Sequence, residues 1–286
     1  MARRPAFGDE PNSRLATWSG RFALFALAVA ILSIVILRSG LLEIVPALAT
    51  FGASLVFAAL AILFAFGSFV VIWRQGLGGL GYAFLGLFLG LALLAYPSYL
   101  AYRATKLPAI FDITTDTSNP PRFDVLARLR PRGRSDYPGQ ATAELQRKAY
   151  PDVAPLQLTV PAKLAYDTAL AVATKRKWLL VDTRAPAPGR AGAIEAVART
   201  PIMGFRDDVA IRVSAQGGDG SRIDVRSASR YGFHDFGGNA SRIRALLEEI
   251  DEAASVAEKR AEQQSERDEK KAEKKRPTDK KGDKKR

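Results

Sequence analysis

The chain has 286 residues, 48% of them hydrophobic, with 42 Lys/Arg against 29 Asp/Glu, one His and no Cys, for a formal net charge of +13. The lack of cysteine excludes disulfides, thiolate nucleophiles and Cys-ligated metals, and a single histidine excludes a multi-His metal site. The basic balance suits phosphate groups, acidic lipid headgroups or nucleic acid; nucleic acid is disfavoured because no binding module accompanies the charge.

Residues 1–106 read as a tail and three transmembrane helices. The run FALFALAVAILSIVIL (Phe22–Leu37) is uncharged; with Trp18, Ser19 and a snorkelling Arg21 it reaches the ~20 residues a bilayer needs. It reads as a span rather than a cleaved signal peptide, because Arg38 follows it and no small-x-small cleavage site does. Two more uncharged runs follow, so spans are expected at about 20–37, 47–73 and 77–102. The third ends in YPSYLAY, whose tyrosines suit the headgroup level. Gly86 and Gly90 form a GxxxG pattern, better suited to packing the spans on one another than to dimerisation. No Asp, Glu, Lys or His lies inside a span, which argues against a transporter or proton relay.

The Lys/Arg bias sets the orientation. Arg3, Arg4, Arg14 and Arg21 in the tail and Arg74 in the second loop outweigh Arg38, Arg103 and Lys106. The N-terminus is therefore expected in the cytoplasm of a bacterium, the spans in its inner membrane, and the soluble domain in the periplasm.

Residues 107–152 are polar and broken by proline, and are expected as an extended connector with at most short local structure. From 153 to 257 the pattern is regular. LQLTV alternates as a strand, Pro161 opens a helix, and WLLVDT and AIEAVART are strands. DDVAIRVSA and SRIDVRSAS flank GGDG, a hairpin signal, and Asn239 precedes a helix with Ile243, Leu246, Leu247 and Ile250 at helical spacing. This order predicts a membrane-anchored α+β architecture: three transmembrane helices, then an antiparallel β-sheet with two covering helices. From Glu258 the chain carries 13 Lys/Arg and 8 Asp/Glu. Residues 258–286 are expected as a charged disordered tail, into which the helix continues some way.

The run GFRDDVAIRVSA through SRIDVRSASRYGFHDFGGNASRIRALL, with FDITTDTSNPPRF upstream, resembles the uncharacterised bacterial and plastid family called domain of unknown function 1499. The resemblance spans roughly 107–251. It implies one fold unit in a membrane-linked or secreted setting, and it brings no activity with it.

The stretch RSASRYGFHDFGGNASRIR (Arg226–Arg244) holds the candidate site. Alternation puts Asp224, Arg226, Ala228 and Arg230 on one face and Val225, Ser227 and Ser229 on the other. Arg226 and Arg230 are then ~13 Å apart, too far to clamp one phosphate on a straight strand. Gly232, Gly237 and Gly238 free the turn, and Asn239 begins a helix whose N–H groups favour an anion. Arg230, Asn239 and Arg242, with Arg226 behind them, are the anion-binding candidates. Gly232, Asp235, Gly237 and Gly238 are the turn and cap. Three readings stand: Asp235 fills the corner by capping the helix or pairing with Arg230 or Arg242; an external anion fills it; or His234 works with Asp235 as an acid–base pair. Asp207 and Asp208 offer paired carboxylates for a hard metal, or else start a strand with one of them pairing Arg206 or Arg212.

The expected function is binding without catalysis: a bilayer-integral protein recognising an anionic envelope component or protein partner, with no catalytic residue, metal or cofactor assigned. One alternative is an envelope hydrolase for a phosphorylated or lipid-like substrate, with His234, Asp235 and Asp116 converging. The other is a purely structural or assembly role.

Overall fold

The computed structural model of the protein describes residues 11–41, 43–130 and 135–274. Arg3 and Arg4, used above for orientation, and residues 275–286 of the charged tail lie outside the described residues. Two compact units form: residues 1–109 with 199–206, and residues 110–198 with 207–286.

The first unit contains α1 (Arg14–Ser39), α2 (Ile44–Gln75) and α3 (Leu80–Lys106), each long and apolar enough to cross a membrane. α3 starts three residues later than expected, because Gly79 takes a left-handed φ of +109° and caps it. Small residues form the contacts: Ala16, Ala23 and Ala26 of α1, Ala58, Ala61 and Ala65 of α2, and Ala83, Gly86 and Gly90 of α3 are buried. In an apolar solvent close backbone approach replaces the hydrophobic effect as the driving force. A Cβ on Gly86 would lie 1.8 Å from Ser19 Oγ, and one on Gly90 would lie 2.6 Å from Ile62 Cγ1. The GxxxG pair therefore packs α3 inside this bundle. Ser19 Oγ donates to the Ala61 carbonyl at 2.7 Å, satisfying a buried hydroxyl. In the 199–206 segment of this unit, Pro201 and Ile202 offer their carbonyls to the Arg38 guanidinium at 2.7 and 3.1 Å.

The second unit is a six-stranded sheet: β1 (Asp112–Thr114), β2 (Leu156–Leu158), β3 (Leu179–Arg184), β4 (Gly192–Arg199), β5 (Arg206–Gln216) and β6 (Gly220–Ser229). The order is β1-β6-β5-β4-β3, with β2 sharing the outer edge of β6 with β1. The GGDG turn sets the long β5–β6 hairpin, Gln216 opposite Gly220 and Asp207 opposite Ser229. Odd-numbered residues of β5 and β6, such as Val209, Ile211, Val213, Ile223 and Val225, are buried on the face covered by α5 (Ala162–Lys175) and α6 (Gly238–Lys274).

The even face corrects the reading of 107–152 as a connector. This segment supplies β1, a 3-10 turn (Leu126–Leu129) and α4 (Gln140–Ala149), and its Phe123 and Leu126 pack on Val197, Ala210 and Ala228. Two long-range polar contacts and one side-chain-closed turn, rather than any local period, fold it. The buried Glu195 carboxylate accepts N–H bonds from Asp124, Val125 and Leu126 at 2.8, 3.2 and 2.8 Å, capping the 3-10 turn from across the sheet. Gln146 of α4 accepts from the Thr114 N–H at 3.0 Å and donates to its carbonyl at 2.6 Å. Asp116 Oδ1 closes the following turn through the N–H groups of Ser118 and Asn119. At the other end, α6 runs to Lys274, beyond the Glu258 at which the disordered tail was expected to start. The Glu/Lys/Arg/Ala-rich stretch there has high helix propensity and no breaker before Pro277.

Candidate functional site

The corner where β6 turns into α6 is built from the arginines of one strand and the carboxylates of its neighbours. Arg230 donates through Nε and Nη2 to Asp208 at 2.9 and 2.7 Å. Arg130 reaches the same carboxylate from the 3-10 segment at 2.7 Å and spends its other donors on the carbonyls of Ala228 and Ser229. The Arg130 and Asp208 side chains have no solvent exposure. Burial lowers the pKa of Arg130, against the pull of Asp208.

Further along the same face Arg226 grips Asp112 of β1 bidentately, at 2.9 and 2.7 Å. It also donates to the carbonyls of Pro121 and Ser135, and its guanidinium lies 4.4 Å from the centre of the Phe123 ring, a cation–π arrangement in a desolvated site. Burial pushes the Asp112 carboxyl up, and Arg226 opposes it. Burial, together with the nearby Asp112 charge, pushes the Tyr137 hydroxyl up to about 12.

On the opposite face Arg242 of α6 pairs with Asp207 and donates to Ser227 Oγ and Asn239 Oδ1. Asn239 is fully buried and donates to the Phe111 carbonyl at 2.9 Å and Ser229 Oγ at 3.1 Å. Asp235 accepts from the N–H groups of Gly237 and Asn239, both at 2.8 Å, closing the entry to α6 as an aspartate cap does. Burial raises its pKa, although those two N–H groups pull it down. Gly232 and Gly237 hold left-handed φ values of +79° and +76°, which a side chain would strain. Gly238 opens α6 with nothing within 4 Å of an added Cβ.

The candidate residues are therefore not brought to one point. Arg226 and Arg230 lie on one face of the sheet and Asn239 and Arg242 on the other. The reading in which Asp235 caps holds; the reading in which it pairs Arg230 or Arg242 does not, because Asp208 and Asp207 take those arginines. Asp207 and Asp208 point to opposite faces, as adjacent strand residues must, so they do not form a paired metal site. His234 Nδ1 accepts from the Phe236 N–H at 2.9 Å and its ring stacks on Phe236, while Asp235 turns away to the cap.

Asp116 belongs to a second cluster: it meets Arg212 at 3.3 Å and Arg222 at 3.0 Å, and both arginines also hold Asp224 at 2.9 and 2.8 Å. A cleft of about 500 Å³ lies between the start of α5 (Ala162, Lys163), the β3–β4 loop (Pro186–Ala191, including Arg190) and Ser214–Ala215 of β5. Sequence reading did not single out Lys163 or Arg190. The loop RAPAPGRAG was the one available signal, since its prolines hold a basic residue away from the sheet.

The domain that contains this corner matches a known family: residues 112–250 fit the one described as "Protein of unknown function (DUF1499)". Residues 112–250, just under half of the chain, are similar to that family. The match begins at Asp112, the first residue of β1, so it takes in residues 112–152 of the proline-broken segment. No curated protein matches the chain. The crystal structure of CalU16 from Micromonospora echinospora is similar to the chain at 15% identity, covering 36% of this chain and 83% of its own, with a TM-score of 0.18; a likeness this low carries no argument.

Proposed function

We propose that this protein is a membrane-anchored binding protein whose DUF1499 domain recognises an anionic ligand without catalysis, and does so at the cleft beside Lys163 and Arg190 rather than at the β6–α6 corner. The observation that carries this reading is how the cations are used. At the corner Arg130, Arg226, Arg230 and Arg242 are each bound to an internal carboxylate, so an arriving anion would have to displace a buried pair at large cost. At the cleft, Lys163 and Arg190 flank an open volume of about 500 Å³, large enough for a phosphate-bearing or carboxylate-bearing group. Lys163 shares its charge with Asp167 one helical turn on, an exposed pair of small energy that a ligand competes with readily.

The Lys/Arg bias of the tail and loops supports a periplasmic setting for the domain and an inner-membrane setting for the spans, which makes an envelope component the natural ligand. The hydrolase alternative asked His234, Asp235 and Asp116 to converge. Asp235 N–H binds the Ile110 carbonyl, and Asp116 lies six residues further along an extended chain, roughly 20 Å away at ~3.3 Å per residue.

The test is titration of the full chain in detergent with inorganic phosphate. Saturable binding that weakens with salt and is lost in a Lys163→Ala/Arg190→Ala double variant is expected; unchanged binding in that variant overturns the cleft assignment. A compartment-specific reporter fused at the C-terminus tests the periplasmic setting, and activity on the cytoplasmic side overturns it.

A further inference from the structure

The turn between β6 and α6 carries an unusual pair of side chains for a soluble domain. Tyr231 is 46% exposed and Phe233 is 76% exposed, yet the backbone beneath them is tightly held. Gly232 and Phe236 sit at φ +79° and +51°, the Asp235 side chain bonds two N–H groups of the turn, and the Asp235 N–H donates to the Ile110 carbonyl at 3.1 Å. Phe233 also meets Phe111 edge-on, with ring centres 6.4 Å apart. A held turn thus presents two aromatic rings to the outside, and the exposed part of each is apolar surface left facing solvent.

The turn is bonded to the first residues after the membrane helices. Only Leu107, Pro108 and Ala109 separate Lys106, the last residue of α3, from Ile110. At no more than ~3.5 Å per residue the chain keeps Ile110 within about 14 Å of the end of α3, and the turn follows Ile110 through the Asp235 N–H bond. The end of α3 carries the marks of a membrane surface. Tyr99 and Tyr102 lie under Arg103 and Lys106 in cation–π contact, the aromatic and basic girdle expected where acyl chains give way to headgroups. A tyrosine and a phenylalanine on a fixed turn so close to that girdle match what the interface takes up: apolar ring faces, one phenol for the headgroups, and cations beside them for acidic lipid.

We infer that the Tyr231–Phe233 turn is a second membrane contact of this protein, seated in the headgroup layer of the bilayer that α3 crosses and holding the DUF1499 domain against that surface. The inference is independent of the cleft proposed above, which lies on other elements, and of which side of the membrane the domain occupies.

The chain has no cysteine, so single-cysteine variants can be spin-labelled without background. The full chain carrying Phe233→Cys, Tyr231→Cys or Asp219→Cys is reconstituted in vesicles of phosphatidylcholine and phosphatidylglycerol. Collision rates of each label with dissolved oxygen and with a water-soluble nickel chelate are then measured. Asp219, in the β5–β6 turn, is the aqueous reference, a full β6 length from the aromatic turn, roughly 30 Å at ~3.3 Å per residue. The expected result is an oxygen-to-nickel collision ratio several-fold higher at 233 and at 231 than at 219. Equal ratios at the three positions overturn the inference. So does a label at 233 and 231 shielded from both reagents, which would mean protein, not lipid, covers the turn.

Discussion

Arg230 and Asp208 meet in a buried bidentate pair, and Arg130 joins the same carboxylate from a segment some eighty residues away in sequence. One aspartate therefore fastens β5, the end of β6 and the 3-10 segment together. Removing it takes the shared carboxylate away from two guanidinium groups in low dielectric. Asp208→Ala is expected to destabilise the sheet domain by about 3–5 kcal/mol, the usual penalty for stranding buried charge. Denaturant unfolding of the full chain in detergent, followed by circular dichroism, measures this. The exposed pair Arg244–Asp152 is the control: Asp152→Asn changes stability by less than about 1 kcal/mol.

Glu195 gives a second expectation. Its carboxylate is the acceptor for three consecutive N–H groups at the 3-10 turn, and the residue is almost wholly buried. Glu195→Ala strands those donors and should cost about 2–4 kcal/mol. Hydrogen exchange reads the effect locally, since the amides of Asp124, Val125 and Leu126 lose protection before those of β5.

The three-helix bundle is tested at Gly86. Its added Cβ meets the Ser19 backbone carbon at 2.9 Å as well as the hydroxyl, so rotation of a side chain does not relieve the clash. Gly86→Ala is expected to cost about 1–3 kcal/mol by overpacking, read as a lowered melting temperature in detergent. Gly81→Ala, with nothing within 4 Å of the new carbon, leaves melting unchanged.

Two aspartates titrate with opposite signs. Burial raises Asp235 above its ordinary 3.8, so the stability this group contributes is complete below that value and is lost as pH rises through the folded-state pKa. The bond to Arg244 lowers Asp152 below 3.8, so its contribution is present above that value and is lost as pH falls through the folded-state pKa. Melting temperature against pH should show the wild-type advantage over Asp235→Asn shrinking upward from about pH 4. The advantage over Asp152→Asn shrinks downward from the same point.

The elements that came out of the sequence were those with a period. β3 to β6, α5 and α6 follow from alternation or helical spacing, and GGDG fixes the hairpin outright. Counting back from that turn also puts Asp208 opposite Ala228, diagonal to Arg230, so this partner of the corner was legible once register was taken seriously. Arg130 and Asp112 were not. They lie in a proline-broken stretch whose fold is set by Glu195 and Gln146, residues 69 to 71 and 32 positions from the groups they bond, which leave no pattern in the chain around Phe123. The three long apolar helices needed only length and composition, whereas Ser19 as the close neighbour of Gly86 needed the packing itself.

Gln146 has one more consequence. β1 is an edge strand, and the outward N–H and C=O of Thr114 are the groups another strand would pair with. Both are already held by the Gln146 amide, so the side chain acts as a stopper on sheet growth. Strand addition along β1 would first have to evict that amide; β3, at the other end of the sheet, stands with Leu179 exposed.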